Sequence, residues 1–474
     1  MNDPRNPEQS SSPTTSRRAF LEQGSKILAA SALAGTAIPK VHAAEDNTIR
    51  LALIGCGGRG SGAVANAISS PNGPAKLVAM ADVVKDKLEA SHKALNGHFH
   101  ITEDHLDRSK STTGGEPNKA VDVPPERRFI GFDAYRKAID CLRPGDVAIL
   151  ATHAAFRAPH LEYAVKKGVN VFMEKSFAAD PGGIKRILAA GEAAKKKNLK
   201  IAAGLMCRHS VARQELIKRI RDGEMGDIQL IQACRMNPGW RIGPRKPEEN
   251  ELIWQIRHAC HMLWASSGLF LEYVIHQIDE CCWLKDGWPV GAHGVGGRTA
   301  DSQDCSQNLD SYSVEYTFAD GGTAIVVGRY IPNCHNEFAT FLHGTKCAAQ
   351  FSGNIHAPKV HTYKDQRIAR DNIAWKARRE RSSPWQAEWD VLLDAIRNDK
   401  PHNEAERAAY SCLAAIMGRA AVHSGKIVTW DQALASNFLF CPNIDTLDYD
   451  SPAPVHADAQ GRYPVPIPGQ CVEI

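Results

Sequence analysis

The chain has no C-x-x-C pair, although it carries 13 cysteines, and an odd number of unpaired spacings fits neither a dense disulfide framework nor a zinc ribbon. Most of these thiols are read as small buried hydrophobes. A strong charge of either sign is also missing. The 57 Lys and Arg against 53 Asp and Glu leave a formal +4, far from the basic excess of a domain whose main partner is nucleic acid. The apolar run at residues 27–38 is only 12 residues, short of the ~20 that cross a bilayer, and no later segment is longer and as apolar, so stable membrane insertion is not expected. No internal repeat is present. What remains is ordinary globular composition, with 43% hydrophobic, 23% charged and 7% aromatic residues in 474, enough chain for two or three domains.

The N-terminus reads as an export leader. A polar stretch is followed by Ser16-Arg17-Arg18-Ala19-Phe20-Leu21, the apolar run, and Val41-His42-Ala43, whose small residues suit signal peptidase. The twin arginine followed by Phe-Leu resembles the address read by the twin-arginine translocase. Residues 1–43 are therefore expected to be removed, and the mature protein to be periplasmic and to have met the translocase as its partner during export.

Residues 44–205 alternate short apolar runs with helical patterns. Strands are expected at 49–54, 76–81, 128–130, 147–151, 170–173 and 200–204, separated by helices, which makes a doubly wound parallel sheet. Residues 96–126, with His98, His100 and His105, show no periodicity and read as an insertion loop, its histidines solvated rather than metal-bound. Residues 206–440 carry longer alternating runs at 227–235, 312–318, 323–329 and 337–342, with Asp320-Gly321 as a hairpin turn, and helices before, within and after them. This is an α+β domain with an open antiparallel sheet, its late helices packing back on the first domain. The basic stretch 364–381 reads as a solvated arm or helix. Residues 441–474 form a Pro-rich tail, extended on the surface.

Chemistry enters at Gly55-x-Gly57-x-x-Gly60, which follows a strand and opens a helix, with Asp82 placed 22 residues beyond Gly60 at the end of the next strand. Gly55 permits the tight turn, Gly57 close approach to a pyrophosphate, Gly60 the packing of helix on strand, and the helix N-terminus faces the anion. Gly58 lies in the same turn. Asp82 would bond ribose hydroxyls and repel a 2′-phosphate, favouring NAD over NADP, while Arg59 inside the turn would reach a phosphate and temper that exclusion.

Several segments together resemble the glucose-fructose oxidoreductase/inositol dehydrogenase/MocA family of nicotinamide-dependent sugar oxidoreductases. They are the glycine turn, Ala151-Thr152, Glu174-Lys175 after a strand, Gly268 followed by Glu272-x-x-x-His276-x-x-Asp279, and Gly425-Lys426-x-Val428-Thr429-Trp430. The resemblance covers most of the mature chain and implies a Rossmann domain joined to a domain built on an open antiparallel sheet. It implies NAD or NADP held tightly, a carbohydrate substrate and a homo-oligomer. Carried over, it places Lys175 beside the nicotinamide, with Glu174 preceding it, and makes His276 the base, oriented by Glu272 one helical turn earlier. Ser176 stands where the family usually has proline, and Glu272 where it usually has aspartate. Thr152-His153 stands where the family often has Thr-Pro, and Phe156 and Arg157 in the next turn are expected to shape the nicotinamide pocket. Asp279 belongs to the same motif and counts with the substrate side. Arg208 and His209, at a strand end, and Gln255, Arg257 and Trp264, before the catalytic helix, are further candidates for the sugar site. No metal is expected, since His258-x-Cys260-His261 and Cys281-Cys282 lack a second spaced pair.

The expected activity is hydride transfer between the cofactor and a hydroxyl of a sugar, cyclitol or glycoside. The same residues would serve a redox-neutral glycoside hydrolase, and a sugar-binding protein without turnover is the third reading.

Overall fold

A computed structural model of the chain describes residues 47–101, 106–112, 118–300, 302–353 and 359–474. The export leader lies outside the described residues, as does His105. The first sheet has six parallel strands in the order Arg128–Ile130, Ala75–Asp82, Ile49–Ile54, Val147–Leu150, Asn170–Met173 and Ile201–Ala203. Its central strands are buried on both faces, which is why they read as nearly continuous apolar runs. Helices Gly58–Ser69, Ala134–Ile139, Arg157–Lys167 and Pro181–Lys196 connect them.

One connection differs from the sequence reading. The stretch after the second strand begins with a helix, Lys85–Asn96, and its insertion contains an antiparallel pair, His98–Ile101 with Leu106–Thr112, instead of being a bare loop. The alternation there is too polar to signal strands on its own.

The second sheet has nine strands and is mixed. Ile228–Met236 lies at its centre, antiparallel to Glu337–Gly344 but parallel to Thr323–Arg329, so the expected purely antiparallel sheet is corrected at this one pair. Gly291–Gly297 is a strand that its four glycines hid from sequence reasoning. Those glycines have a packing reason. A Cβ on Gly296 would meet Val422 Cγ1 at 2.6 Å and one on Gly294 would meet Val422 Cγ2 at 2.9 Å, so their absence lets the helix Ala405–Ser424 lie against the strand.

The basic stretch 364–381 is neither a helix nor a free arm. It holds the short edge strand Ile373–Lys376, and its Glu380 carboxylate accepts from Ser210 Oγ at 2.5 Å and from the Ala212 amide at 2.8 Å, satisfying the start of helix Val211–Arg221. The C-terminal tail is extended but not confined to the surface. Tyr463 stacks on Trp254 with ring centres 5.7 Å apart, and the buried Glu473 carboxylate accepts from Arg419 and His423, both at 2.7 Å.

The helix Pro384–Arg397 returns to the first sheet, where Trp389 stacks on Phe172 at 4.5 Å and Gln386 bonds Asn66. No helix among the described residues is long and apolar enough to cross a membrane. The arrangement sets the carboxyl ends of the parallel strands against the helix Gly268–Lys285, where the chemistry lies.

Candidate active site

The glycine turn behaves as its spacing requires. Gly55 has φ +95°, and a Cβ there would sit 2.5 Å from the Ala151 carbonyl carbon; one on Gly60 would run into the Gly55 carbonyl oxygen. At Gly57 and Gly58 nothing lies within 4 Å of a Cβ position, so the backbone at the start of helix Gly58–Ser69 faces open space, the cradle a pyrophosphate needs. Asp82 closes the turn from the next strand, its two carboxylate oxygens accepting from the Cys56 amide at 2.7 Å and the Val84 amide at 2.8 Å. Burial pushes its carboxyl above the usual range, and those two amides pull it back.

The cleft beside this turn is lined by Gly55, Gly57, Asp82, Thr152, His153 and Phe156, all named from the sequence, and by several residues that sequence reasoning passed over: Val83, Lys87, Phe132 and Tyr135. Thr152 Oγ1 lies 3.2 Å from His160 Nδ1, and burial with the neighbouring Arg157 pushes His160 down to about 3, which keeps it neutral. Ile256 and Arg257 of helix Glu251–Arg257 form the far wall.

Lys175, just past the strand Asn170–Met173, donates to the Glu272 carbonyl at 2.7 Å and to its carboxylate at 2.8 Å. The Lys175-Ser176 peptide is cis. Glu272 therefore pairs with the lysine and does not hold the imidazole of His276, which corrects the expected dyad: the carboxylate turns towards the strand because an ammonium offers more than a neutral ring. His276 is 8% exposed and its Nδ1 has no hydrogen-bond partner. Burial first, then the charges of Lys175 and Arg235, hold it well below 6.5. His153 links the two halves of the site. It lines the cleft and lies within electrostatic reach of both Glu272 and Asp82.

No family model matches the sequence. Over 190 residues the chain is 24% identical to the inositol 2-dehydrogenase of Corynebacterium glutamicum (strain R), covering 38% of this chain and 50% of the relative. Inositol 2-dehydrogenase 3 of Saccharopolyspora erythraea is 24% identical over 242 residues, 49% of this chain and 64% of the relative. The chain thus spans about half to under two thirds of the length of these relatives. Two solved structures share the fold over most of the chain. The scyllo-inositol dehydrogenase of Lactobacillus casei with bound NAD(H) and scyllo-inositol has a TM-score of 0.56 at 20% identity, covering 82% of this chain and 100% of its own. The aldose-aldose oxidoreductase of Caulobacter crescentus complexed with glycerol has a TM-score of 0.59 at 17% identity, covering 81% and 99%. The chain is thus similar to inositol dehydrogenases over part of its sequence and shares its fold with sugar and cyclitol oxidoreductases over most of its length.

Three of the expected cofactor residues, Arg59, Glu174 and Arg157, bond other groups of the chain. Arg59 donates to the Glu174 carboxylate at 2.5 Å, so this expected pair of cofactor residues also contact each other. Arg157 is fully buried and donates to the carbonyls of Leu150 and Thr152, which fixes the strand end and shapes the pocket from behind without lining it.

The expected substrate ligands are mostly spoken for. Arg208 holds Asp279 through two bonds of 2.9 Å, and Ser411 donates to the same carboxylate at 2.6 Å, which makes Asp279 an internal ion pair. His209 faces Glu404 at 3.7 Å. Gln255 accepts from Trp264 Nε1 at 2.7 Å and donates to the Val455 carbonyl, a closed core arrangement. Arg257, which lines the glycine-turn cleft, pairs with Asp86. The His258 ring lies tilted against Trp254 and bonds its carbonyl, while burial pushes the Cys260 thiol up to about 12. Among the described residues, one group has metal-ligand types close together, His423, Cys471 and Glu473, and Arg419 occupies its carboxylate.

One cation that acts on His276 comes from elsewhere in the chain. Arg235, at the end of the central strand, lies 3.8 Å from the Phe338 ring centre and 5.2 Å from that of Tyr273, and Trp240 stands edge-on to Tyr273 at 5.8 Å with 53% of its surface exposed. The only sequence signal for them was a β pattern that ends on a charged residue.

Proposed function

We propose that the chain is an oxidoreductase that moves a hydride between a CH-OH group of a sugar, cyclitol or glycoside and a nicotinamide dinucleotide held in the glycine-turn cleft. One observation carries this reading. The pair Lys175 and Glu272 and a neutral His276 adjoin the cleft whose open turn and Asp82 fit a dinucleotide. The inositol dehydrogenase relatives and the fold neighbours point the same way.

A bound nicotinamide would supply the hydride acceptor. The protein's part follows from its own groups. His276, neutral because it is buried among cations, can take the hydroxyl proton, and the ammonium of Lys175 can stabilise the oxygen as its charge grows. Glu272 aims that ammonium through its carbonyl and its carboxylate. Asp82 favours a dinucleotide without a 2′-phosphate. The leader supports export to the periplasm, where free nicotinamide cofactor is scarce, so the dinucleotide is held through repeated turnovers and restored by a second substrate. The open face of the second sheet supports a homo-oligomer.

Purification without added nucleotide, followed by denaturation and mass analysis, tests the cofactor; near-stoichiometric dinucleotide is expected. A protein that carries none and binds neither NADH nor NADPH would refute the reading. Release of phenol from aryl glycosides without an electron acceptor would move the reaction to redox-neutral cleavage.

A further inference from the structure

Buried guanidinium groups in this protein are matched with oxygen. Arg157 has two carbonyls, Arg208 has Asp279, Arg213 has Glu280 at 3.0 Å and Arg419 has Glu473. Arg235 departs from this pattern. Its Nε and Nη1 are shut off from solvent and have no hydrogen-bond partner, and no carboxylate pairs with it among the described residues. Only rings meet it, Phe338 on one side and Tyr273 on the other, and cation–π contact engages the flat of a guanidinium while leaving its N–H edge unsatisfied.

Its position is informative. Tyr273 follows Glu272, the partner of Lys175, and precedes His276 by one turn of the same helix, so the unmatched cation stands over the reacting groups. Neighbouring polar atoms are orphaned too: Nδ1 of His276, Oη of Tyr330 and Nε2 of His261. These are neutral groups, suited to hydroxyls. Leaving two shut-off N–H groups without an acceptor is costly, and an anionic oxygen arriving with the ligand would satisfy them.

We infer that the substrate carries a singly charged acidic group, a carboxylate or a sulfate ester, seated on Arg235 while its reacting CH-OH faces Lys175 and His276. A doubly charged phosphate would leave one charge uncompensated, because Lys175 is already engaged by Glu272. The substrate class is then a sugar acid, cyclitol acid or sulfated sugar. This rests on the oxidoreductase reading above.

The test uses the full mature chain with its dinucleotide bound, against glucuronate and glucose, galacturonate and galactose, and glucose 6-sulfate. Turnover is read from nicotinamide absorbance, and binding independently from tryptophan fluorescence, which Trp240 places at the site. The expected result is an acidic sugar that binds at least about tenfold more tightly than its neutral parent. In Arg235→Met, which keeps the bulk between the rings, the ratio of acidic to neutral sugar affinity falls to about one, and Arg235→Lys recovers part of it. Carboxylate against sulfate preference identifies the source of the charge. Equal or weaker binding of every acidic sugar in the unaltered protein overturns the inference, as does an Arg235→Met variant that keeps the same ratio of acidic to neutral affinity. Hydride transfer confined to neutral sugars would sink this inference and leave the oxidoreductase intact, whereas a protein devoid of dinucleotide would sink the oxidoreductase reading itself.

Discussion

Arg257, from the short helix of the second domain, reaches across the dinucleotide cleft to Asp86 at the start of a Rossmann helix, with nitrogen-to-oxygen distances of 2.6 and 3.1 Å. A second strap lies beside it: Tyr449 of the C-terminal tail donates to the Val83 carbonyl at 2.7 Å and packs edge-on to Phe132 at 5.4 Å. Both cross the wall next to Asp82. Arg257→Ala is expected to speed release of bound dinucleotide by about tenfold or more, with little change in thermal stability, because an exposed pair contributes only ~0–1 kcal/mol to folding. The release rate, measured by exchange against labelled NAD, checks this; an unchanged rate in an Arg257→Ala, Tyr449→Phe double variant would show that the straps do not retain the cofactor.

Asp82 should set dinucleotide preference. Asp82→Ala removes a carboxylate at the mouth of the glycine turn and the acceptor for two backbone amides. Weaker NADH binding and a smaller gap between NADH and NADPH are expected, measured by fluorescence titration. A variant that keeps both the affinity and the gap would remove Asp82 from the cofactor site.

Lys175 and Glu272 act as a pair, so their substitutions should not add. Lys175→Met is expected to lower kcat by at least about 100-fold while leaving dinucleotide binding intact. Glu272→Gln should cost less, and the double variant about the same as Lys175→Met alone. Additive losses would mean that the two residues serve separate steps.

Buried imidazoles give stability a pH dependence. His160, pushed down to about 3, and His276, held well below 6.5, stay neutral in the fold at pH values where the unfolded chain binds protons. The unfolded state therefore gains protons first, and stability falls as pH drops below about 6.5. At pH 5 the His160 contribution alone is about 2 kcal/mol. Glu388 acts in the opposite sense, since burial without a hydrogen-bond partner holds its carboxyl protonated well above the usual range. The depressed histidines, which also include His261 at about 4, outnumber it. Thermal unfolding should thus occur at a lower temperature at pH 5 than at pH 7.5, and Glu388→Gln should widen that difference by stabilising the pH 7.5 state. A midpoint that rises on acidification would contradict the neutral imidazoles.

Local rules were enough for the first sheet, the glycine turn, Asp82, and the helix bearing Glu272 and His276. Strand alternation, turn chemistry and the demand for φ > 0 at Gly55 are properties of neighbouring residues, and each is written in the order of the chain. Partner choice is not local. Glu272 and His276 share a helical face in sequence, but a lysine from a strand 97 residues away takes the carboxylate. Arg208 and Asp279 look like ligands until the fold closes them on each other, and Gln255 and Trp264 likewise satisfy one another in the core. The strand Gly291–Gly297 exists because a distant helix needs bare backbone to lie against. Arg235 shows the converse, a charge whose neighbours in space leave it without an oxygen. The sequence by itself determined the elements and the cofactor turn, because those depend on backbone preference and hydrophobic period. Only the tertiary structure decided which charged side chains neutralise one another and which remain to meet a ligand, because that depends on desolvation and distance between residues far apart in the chain.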